Sequence, residues 1–243
     1  MKQKSKKNAP VKKEKKGSKS KSKSPVRPAN FAAITNFPSP MLAKKSKLTN
    51  EEKIDYIAVR MKEIMEVLGL DLTDDSLART PYRIGKMYVN EVFSGLDLDN
   101  FPQISFIKDQ FHHEHRSHIV LVKVSFTSFC EHHFVPMNGT AYVAYLPAGK
   151  LIGLSKIPRL VRFFAKRPQV QERLTAQIAD SMGLLLDTDD VAVSITATHY
   201  CVVARGIEDG HSHTVTNVMR GQFNTDASLR EEFFEGINRN RND

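Results

Sequence analysis

Residues 118–134 read HIVLVKVSFTSFCEHHF. The first eleven are rich in β-branched and aromatic side chains, which is the composition of a strand packed on at least one face, and the run then closes on a cysteine followed by two adjacent histidines. Two more stretches share this character, TAYVAYLPA at 140–148 and VAVSITATHYC at 191–201, and HTVTNVMRGQF at 213–223 is suited to pair with them. Between the second and third strands lie two helical segments: SKIPRLVRFFAK at 155–166, then, after a break at Arg167-Pro168, PQVQERLTAQIADSMGLLL. Upstream, Ile54, Ile57, Ala58, Met61, Ile64, Met65 and Leu68 fall at helical spacing behind a cap at Asn50, and a second helix starts near Thr80-Pro81 and runs through RIGKMYVNEVF. Helices, paired strands, helices, paired strands: the order predicts an α+β fold with antiparallel hairpins and not an alternating Rossmann pattern.

Composition bounds the function. The chain has 243 residues, 40% of them hydrophobic, enough for one ordinary domain with extensions. No apolar run is long enough to span a membrane and no signal-peptide core stands near the N-terminus, so the sequence predicts a soluble, cytoplasmic protein. The net charge of +9 is unevenly spread: residues 1–50 hold fourteen lysines and one arginine against the single acid Glu14, a balance of +14, which leaves the rest near −5. Basic character therefore belongs to a tail over residues 1–49, poor in apolar residues and expected to be disordered, with the globular unit over 50–243. A solvated appendage is one reading of that tail; contact with nucleic acid or another polyanion is the other.

Two cysteines do not make a disulfide framework. Cys130 and His133 have the Cys-x2-His spacing that closes around one ion where a strand gives way to a loop. On a regular strand Val191, Val193, Ile195, Ala197, His199 and Cys201 would share a face, which brings the second cysteine to a buried edge beside His199. Two thiolates and an imidazole suit Zn2+, and three protein ligands leave one position open, as in catalytic sites. The same residues would also serve as plain core thiols. His132 and His199 remain over as non-ligands suited to proton transfer. The histidines of FHHEHRSH, His112, His113, His115 and His118, read as a polar loop.

A second constellation lies on the helices between the strands. Ser155 can cap a helix that carries Lys156, Arg159 and Arg162 at intervals of three, a helix N-terminus with fixed cations that suits phosphate, and Arg205 could reach the same anion from the metal side. A solvated basic face reads equally well. Gln171 and Glu172 open the next helix, where a carboxylate can accept two hydrogen bonds from a planar N–H pair, such as guanine N1 and N2 present, or simply complement the helix dipole.

FCEHHFVPMNGTAYVAYLP, IGLSKIPRLVRFFAKRPQVQERLTAQIAD, THYCVVARGI and, upstream, TPYRIGKMYVNEVFSGL resemble GTP cyclohydrolase I, in order, from about residue 50 to 235. The resemblance implies the tunnelling fold (T-fold): antiparallel strands with helices packed on one side, assembling into β-barrels by oligomerisation, usually a homodecamer of two pentamers with active sites at subunit interfaces. It implies Cys130, His133 and Cys201 as Zn2+ ligands, His132 and His199 as the proton-transfer pair, Ser155, Lys156, Arg159 and Arg205 as contacts to ribose and triphosphate, and Gln171 and Glu172 as contacts to guanine. The implied reaction is attack of metal-activated water at C8 of GTP, with His199 protonating N7, release of formate, and an Amadori-type rearrangement relayed by Ser155 that closes to 7,8-dihydroneopterin triphosphate, the first step of pterin and folate biosynthesis. The segment Asp209–Thr214, with His211 and His213, departs from the small hydroxyl-bearing residues frequent in relatives. Two other readings compete: a 7-deazaguanine nitrile reductase of the same fold, against which FCEHHF paired with THYC argues, and a non-catalytic oligomer that binds nucleic acid through its tail.

Overall fold

A computed structural model of the chain describes residues 40–42, 46–109 and 118–240. The lysine-rich segment to residue 39 and three of the four histidines of FHHEHRSH fall outside the described residues, and with them the expectations placed there.

Helix α1 (Asn50–Val67) begins at Asn50 itself, the residue predicted as its cap. Thr49, not Asn50, is the N-cap: its hydroxyl accepts from the Glu52 backbone N–H at 3.3 Å while the Glu52 carboxylate accepts from the Thr49 N–H at 2.7 Å. This reciprocal pair satisfies two of the orphan donors of the first turn. Helix α2 (Thr80–Met87) opens with Pro81, whose missing N–H costs nothing there, and passes into a π-helical turn, Tyr88–Val92. Gly95 then lies so close to the carbonyls of Phe163 and Lys166 that a Cβ would collide with them; its N–H donates to Lys166 O at 2.8 Å and its own carbonyl accepts from the Arg167 guanidinium at 2.8 Å. Only glycine lets these two backbones meet.

The main sheet has five strands, β2 (Val120–Cys130), β3 (Pro136–Tyr145), β5 (Pro168–Gln169), β6 (Val191–His199) and β7 (Thr214–Met219), in the order β5-β2-β3-β6-β7. All neighbours are antiparallel except the short β5, which runs parallel to β2. A separate two-stranded ribbon pairs β1 (Phe106–Lys108) with β4 (Lys150–Ile152). The α+β order read from the sequence stands.

Helices α3 (Lys156–Ala165) and α4 (Gln171–Leu186) pack on one face of the sheet. Their Ile157, Leu160, Val161, Phe164, Leu174, Ile178 and Met182 meet Val124, Phe126, Ala141, Val143, Val193 and Ile195 in the principal core. The alternate residues of the same strands, Tyr142, Ala144 and Ala192, face the other way and are covered by Phe223, Phe233 and Ile237, the last two from the C-terminal helix α7 (Ala227–Arg239), which follows the short α6 (Gln222–Thr225). Thus α6 and α7 cover the second face, because strand residues of opposite parity point to opposite sides and both sets are apolar at this end of the sheet.

Strand β6 ends at His199 and not at Cys201. The ladder with β3 pairs Met137 with His199, so the next position on β3 is Pro136, which has no N–H to give. The chain turns instead into α5 (Tyr200–Val203), a single helical turn that carries Cys201. Cys201 therefore leaves the strand face on which alternation had placed it.

Candidate metal centre

Register brings the relevant strand ends to one edge. Phe129 pairs with Pro136 and Met137 with His199, so the end of β2, the start of β3 and the end of β6 lie side by side. The five residues between β2 and β3, Glu131–Val135, form a tight loop in which Phe134 N–H donates to Cys130 O and Cys130 N–H to Val135 O, both at 2.9 Å. Phe134 holds a left-handed backbone, φ 53°, which a phenylalanine adopts only under constraint; its ring packs edge-on against Phe93 at 5.0 Å and Tyr88 at 6.2 Å. The aromatic anchor fixes where the preceding histidines emerge.

At this edge the ligand atoms of Cys130, His133 and Cys201 lie within 4.8 Å of one another. Cys130 is buried, Cys201 half-buried and His133 exposed, so the group is closed on the protein side and open toward solvent. Burial pushes the Cys201 thiol up, and the Cys130 thiol beside it adds to the rise, with Arg205 acting in the opposite sense. Two thiols in this position resist ionising together unless a cation lies between them, and a soft divalent ion is what such a donor set accepts. The guanidinium of Arg205 donates to His133 Nε2 at 2.6 Å; because arginine has no acceptor, that nitrogen's one lone pair is directed at Arg205, and an ion bound there would take the guanidinium's place.

The remaining candidates separate into two groups. His132 is exposed in the loop, its Nδ1 at 3.7 Å from Cys130 Sγ. His199 is half-buried at the end of β6, and its Nε2 lies 2.7 Å from Gln171 Oε1. Burial lowers its pKa, while the nearby Glu172 carboxylate works to raise it. Gln171 itself is 1% exposed, and its Nε2 is engaged with Ile195 O, Thr214 O and Thr216 Oγ1 at 3.0 to 3.1 Å. Its side chain faces the protein interior, while Glu172 beside it is exposed. His213 Nδ1 pairs with Thr198 Oγ1 at 2.9 Å; His211 is exposed.

Ser155, Lys156, Arg159 and Arg162 are not brought to this edge within one chain. Ser155 occupies the N-cap position of α3 but has a helical backbone and makes no side-chain cap bond; Pro158 at N3 has no N–H to offer, and Lys156 N–H donates to Gly153 O at 2.7 Å. The C-terminal end of α3 is the one near the cysteines: Ser128 Oγ, two residues before Cys130, donates to Ala165 O at 2.6 Å. Ten helical residues rise about 15 Å, so the basic N-terminus points away. It lies toward β4, whose Ile152 N–H donates to Tyr145 Oη, and Tyr145 pairs with Val120 and Val191 at the opposite end of the sheet.

Two residues at the site escaped the sequence reading. Arg173, on the first turn of α4, makes a two-pronged ion pair with Glu131 at 2.5 and 3.2 Å, tying the Cys130 loop to that helix. Thr216 on β7 joins the Gln171 cluster. A lone arginine in QERL and a threonine in an alternating strand carry no local signal of either role.

The sequence profile of GTP cyclohydrolase I matches residues 57–238. The chain belongs to the GTP cyclohydrolase I family. Among similar proteins, the GTP cyclohydrolase 1 of Aeromonas salmonicida is 53% identical over 199 residues, 82% of this chain and 89% of that one. That of Photobacterium profundum is 54% identical over 200 residues, 82% and 90% of the two chains. The GTP cyclohydrolase 1 of Vibrio cholerae serotype O1 is 55% identical over 190 residues, 78% and 86%. Family membership makes the α+β architecture a T-fold and disfavours the nitrile reductase reading. Among the described residues no helix is long and apolar enough to cross a membrane.

Proposed function

We propose that the chain is a GTP cyclohydrolase I that uses Zn2+ at Cys130, His133 and Cys201 to convert GTP to 7,8-dihydroneopterin triphosphate with release of formate. The observation that carries this is the convergence of those three ligand atoms within 4.8 Å in a chain of this family. Zn2+ held by two thiolates and an imidazole supplies, when bound, Lewis acidity that makes water nucleophilic near neutral pH.

The protein's own groups do the rest. His199 is half-buried and firmly held, which suits a group that passes a proton to N7 while water attacks C8. His132 assists from the solvent side of the loop. Glu172, exposed at the start of α4, accepts from guanine N1 and N2. Lys156, Arg159 and Arg205 hold the triphosphate, which is bound and not cleaved, and Ser155 relays a proton in the ribose rearrangement. The distance of the α3 N-terminus from the cysteine edge supports a site completed by a second copy, so that Lys156 and Arg159 of one subunit serve the metal ligands of another. A homodecamer of two pentamers with such interfaces fits this division. Residues 1–49, which precede the family match, are an appendage to the catalytic unit; the reduced thiols and the nucleotide substrate suit a cytoplasmic enzyme.

The test joins metal analysis to GTP turnover followed by formate release. The purified protein should carry about one zinc per chain, and Cys201→Ser should lose both metal and activity, since one of three ligands is gone. Full zinc content in Cys201→Ser would overturn the ligand set.

A further inference from the structure

The amide of Gln171 is held in an orientation that it cannot reverse. Its Nε2 faces two backbone carbonyls, Thr214 O at 3.0 Å and Ile195 O at 3.1 Å, which can only accept. Turning the amide over would set a third oxygen against both, at a site where Gln171 is 1% exposed and water cannot compensate. The nitrogen must therefore stay on that side.

The neighbouring hydroxyls agree. Thr175 Oγ1 donates to Gln171 O at 2.7 Å, so its lone pairs receive the Thr216 hydroxyl, also at 2.7 Å, and Thr216 Oγ1 in turn accepts from Gln171 Nε2 at 3.1 Å. The two Nε2 protons are shared among three acceptors, and each of the three is met by the nitrogen. Oε1 is then left facing His199 Nε2 at 2.7 Å, and an amide oxygen can only accept. His199 Nε2 must be the N–H end of the ring.

We infer that Gln171 is a positioning residue that fixes the orientation and tautomer of His199, and that it does not contact guanine through its side chain. This rests on the reading of His199 as the proton-transfer group. The consequence for the reaction is specific: Nε2 keeps its proton for Gln171, so proton exchange with substrate falls to Nδ1, a bare lone pair in the neutral ring that first takes a proton from water and, as imidazolium, gives it to N7. Glu172, adjacent and exposed, is left as the guanine-binding side chain of this pair. The cluster also couples strand to helix: β6 and β7 contribute the acceptors that orient a helix-borne amide, which orients a strand-borne imidazole.

Two measurements on the zinc-loaded enzyme test this. In protein labelled with 15N in its histidines, solid-state NMR at a pH where the ring is neutral should show His199, assigned by its disappearance in His199→Ala, protonated at Nε2. A neutral ring protonated at Nδ1 overturns the inference without reference to activity. In the second, Gln171→Met keeps the length of the side chain and removes both hydrogen-bonding ends. It should lower kcat about 10- to 100-fold, the usual effect of removing the partner that orients a reacting group, with little change in the KM for GTP. A raised KM at unchanged kcat would instead mark Gln171 as a guanine contact and sink the inference. If Gln171→Met fails to fold, the NMR result alone decides. If His199→Ala proves fully active, the proton-transfer reading fails while the tautomer assignment stands, so the two can be told apart.

Discussion

Glu131 stands between a metal-ligand candidate and a histidine, yet its carboxylate turns away from both to Arg173, whose hydrogen bonds hold its pKa below the usual carboxylate range. An acid in this loop is thus prevented from competing for the cation that the cysteines would share. The same separation of roles applies to the histidines. His133 lies with the cysteines, whereas His199, though two residues from Cys201, is turned to Gln171. If His199 moves protons and does not bind metal, His199→Ala should keep its zinc while turnover falls by about 10²- to 10⁴-fold, the range for a positioned acid or base. Metal analysis beside a formate assay checks it, and loss of zinc in that variant would mean that ligand and acid had been exchanged.

Helix α1 shows how an element depends on its ends. Only Ile54 and Met65 are buried on it, while Tyr56, Val59, Ile64 and Val67 are exposed, so within one chain little packing holds the helix and its cap matters more. Thr49→Ala should cost about 1 kcal/mol of the stability of this element, as N-cap deletions do, and should appear as faster amide exchange in the first turn of α1. Hydrogen bonds from Thr49 lower the pKa of Glu52. A carboxylate depressed in the folded state contributes stability above its unfolded pKa and loses it as pH falls through the folded value. Protection of the first turn should therefore fade below about pH 4.5, the ordinary Glu52 value, and Glu52→Gln should remove that dependence while protection further along the helix is unchanged. A pH-independent first turn in the unaltered protein would contradict the capping geometry.

At the scale of the whole molecule the decisive feature is that one chain does not bring its basic helix end to its own cysteines. If two copies complete each site, subunits of Cys201→Ser mixed with subunits of Lys156→Ala/Arg159→Ala should recover formate release at low GTP concentration, because some shared sites then receive both intact halves. No recovery in a mixed oligomer would mean that each chain builds its own site. The lysine-rich segment gives a separate expectation. Deleting residues 1–45 removes no proposed site group and should leave oligomeric state and turnover unchanged at matched ionic strength, whereas Arg159→Ala should raise the KM by the loss of one charge-assisted hydrogen bond, about 1.5 to 3 kcal/mol. A truncation that abolished activity would overturn the division of the chain into appendage and catalytic unit.

Periodicity and composition were enough for the order of elements, because apolar residues repeat every second position in β2 and β6 and every third or fourth in α1 and α3, and Pro168 and Pro81 mark boundaries by their own chemistry. The grouping of Cys130, His133 and Cys201 was legible for a related reason: with two cysteines and one Cys-x2-His, few combinations exist. What sequence alone could not give was direction. Strand alternation carried Cys201 past the true end of β6, since nothing local says that Pro136 on a distant strand stops the ladder there. Gln171 stood in the sequence only beside Glu172, as an implied contact to guanine, and the arrival of Ile195, Thr214 and Thr216 from two strands is what turns its amide inward onto His199. Hydrogen-bond direction depends on which donors and acceptors meet across the fold, and that meeting is a property of packing, not of any segment read by itself.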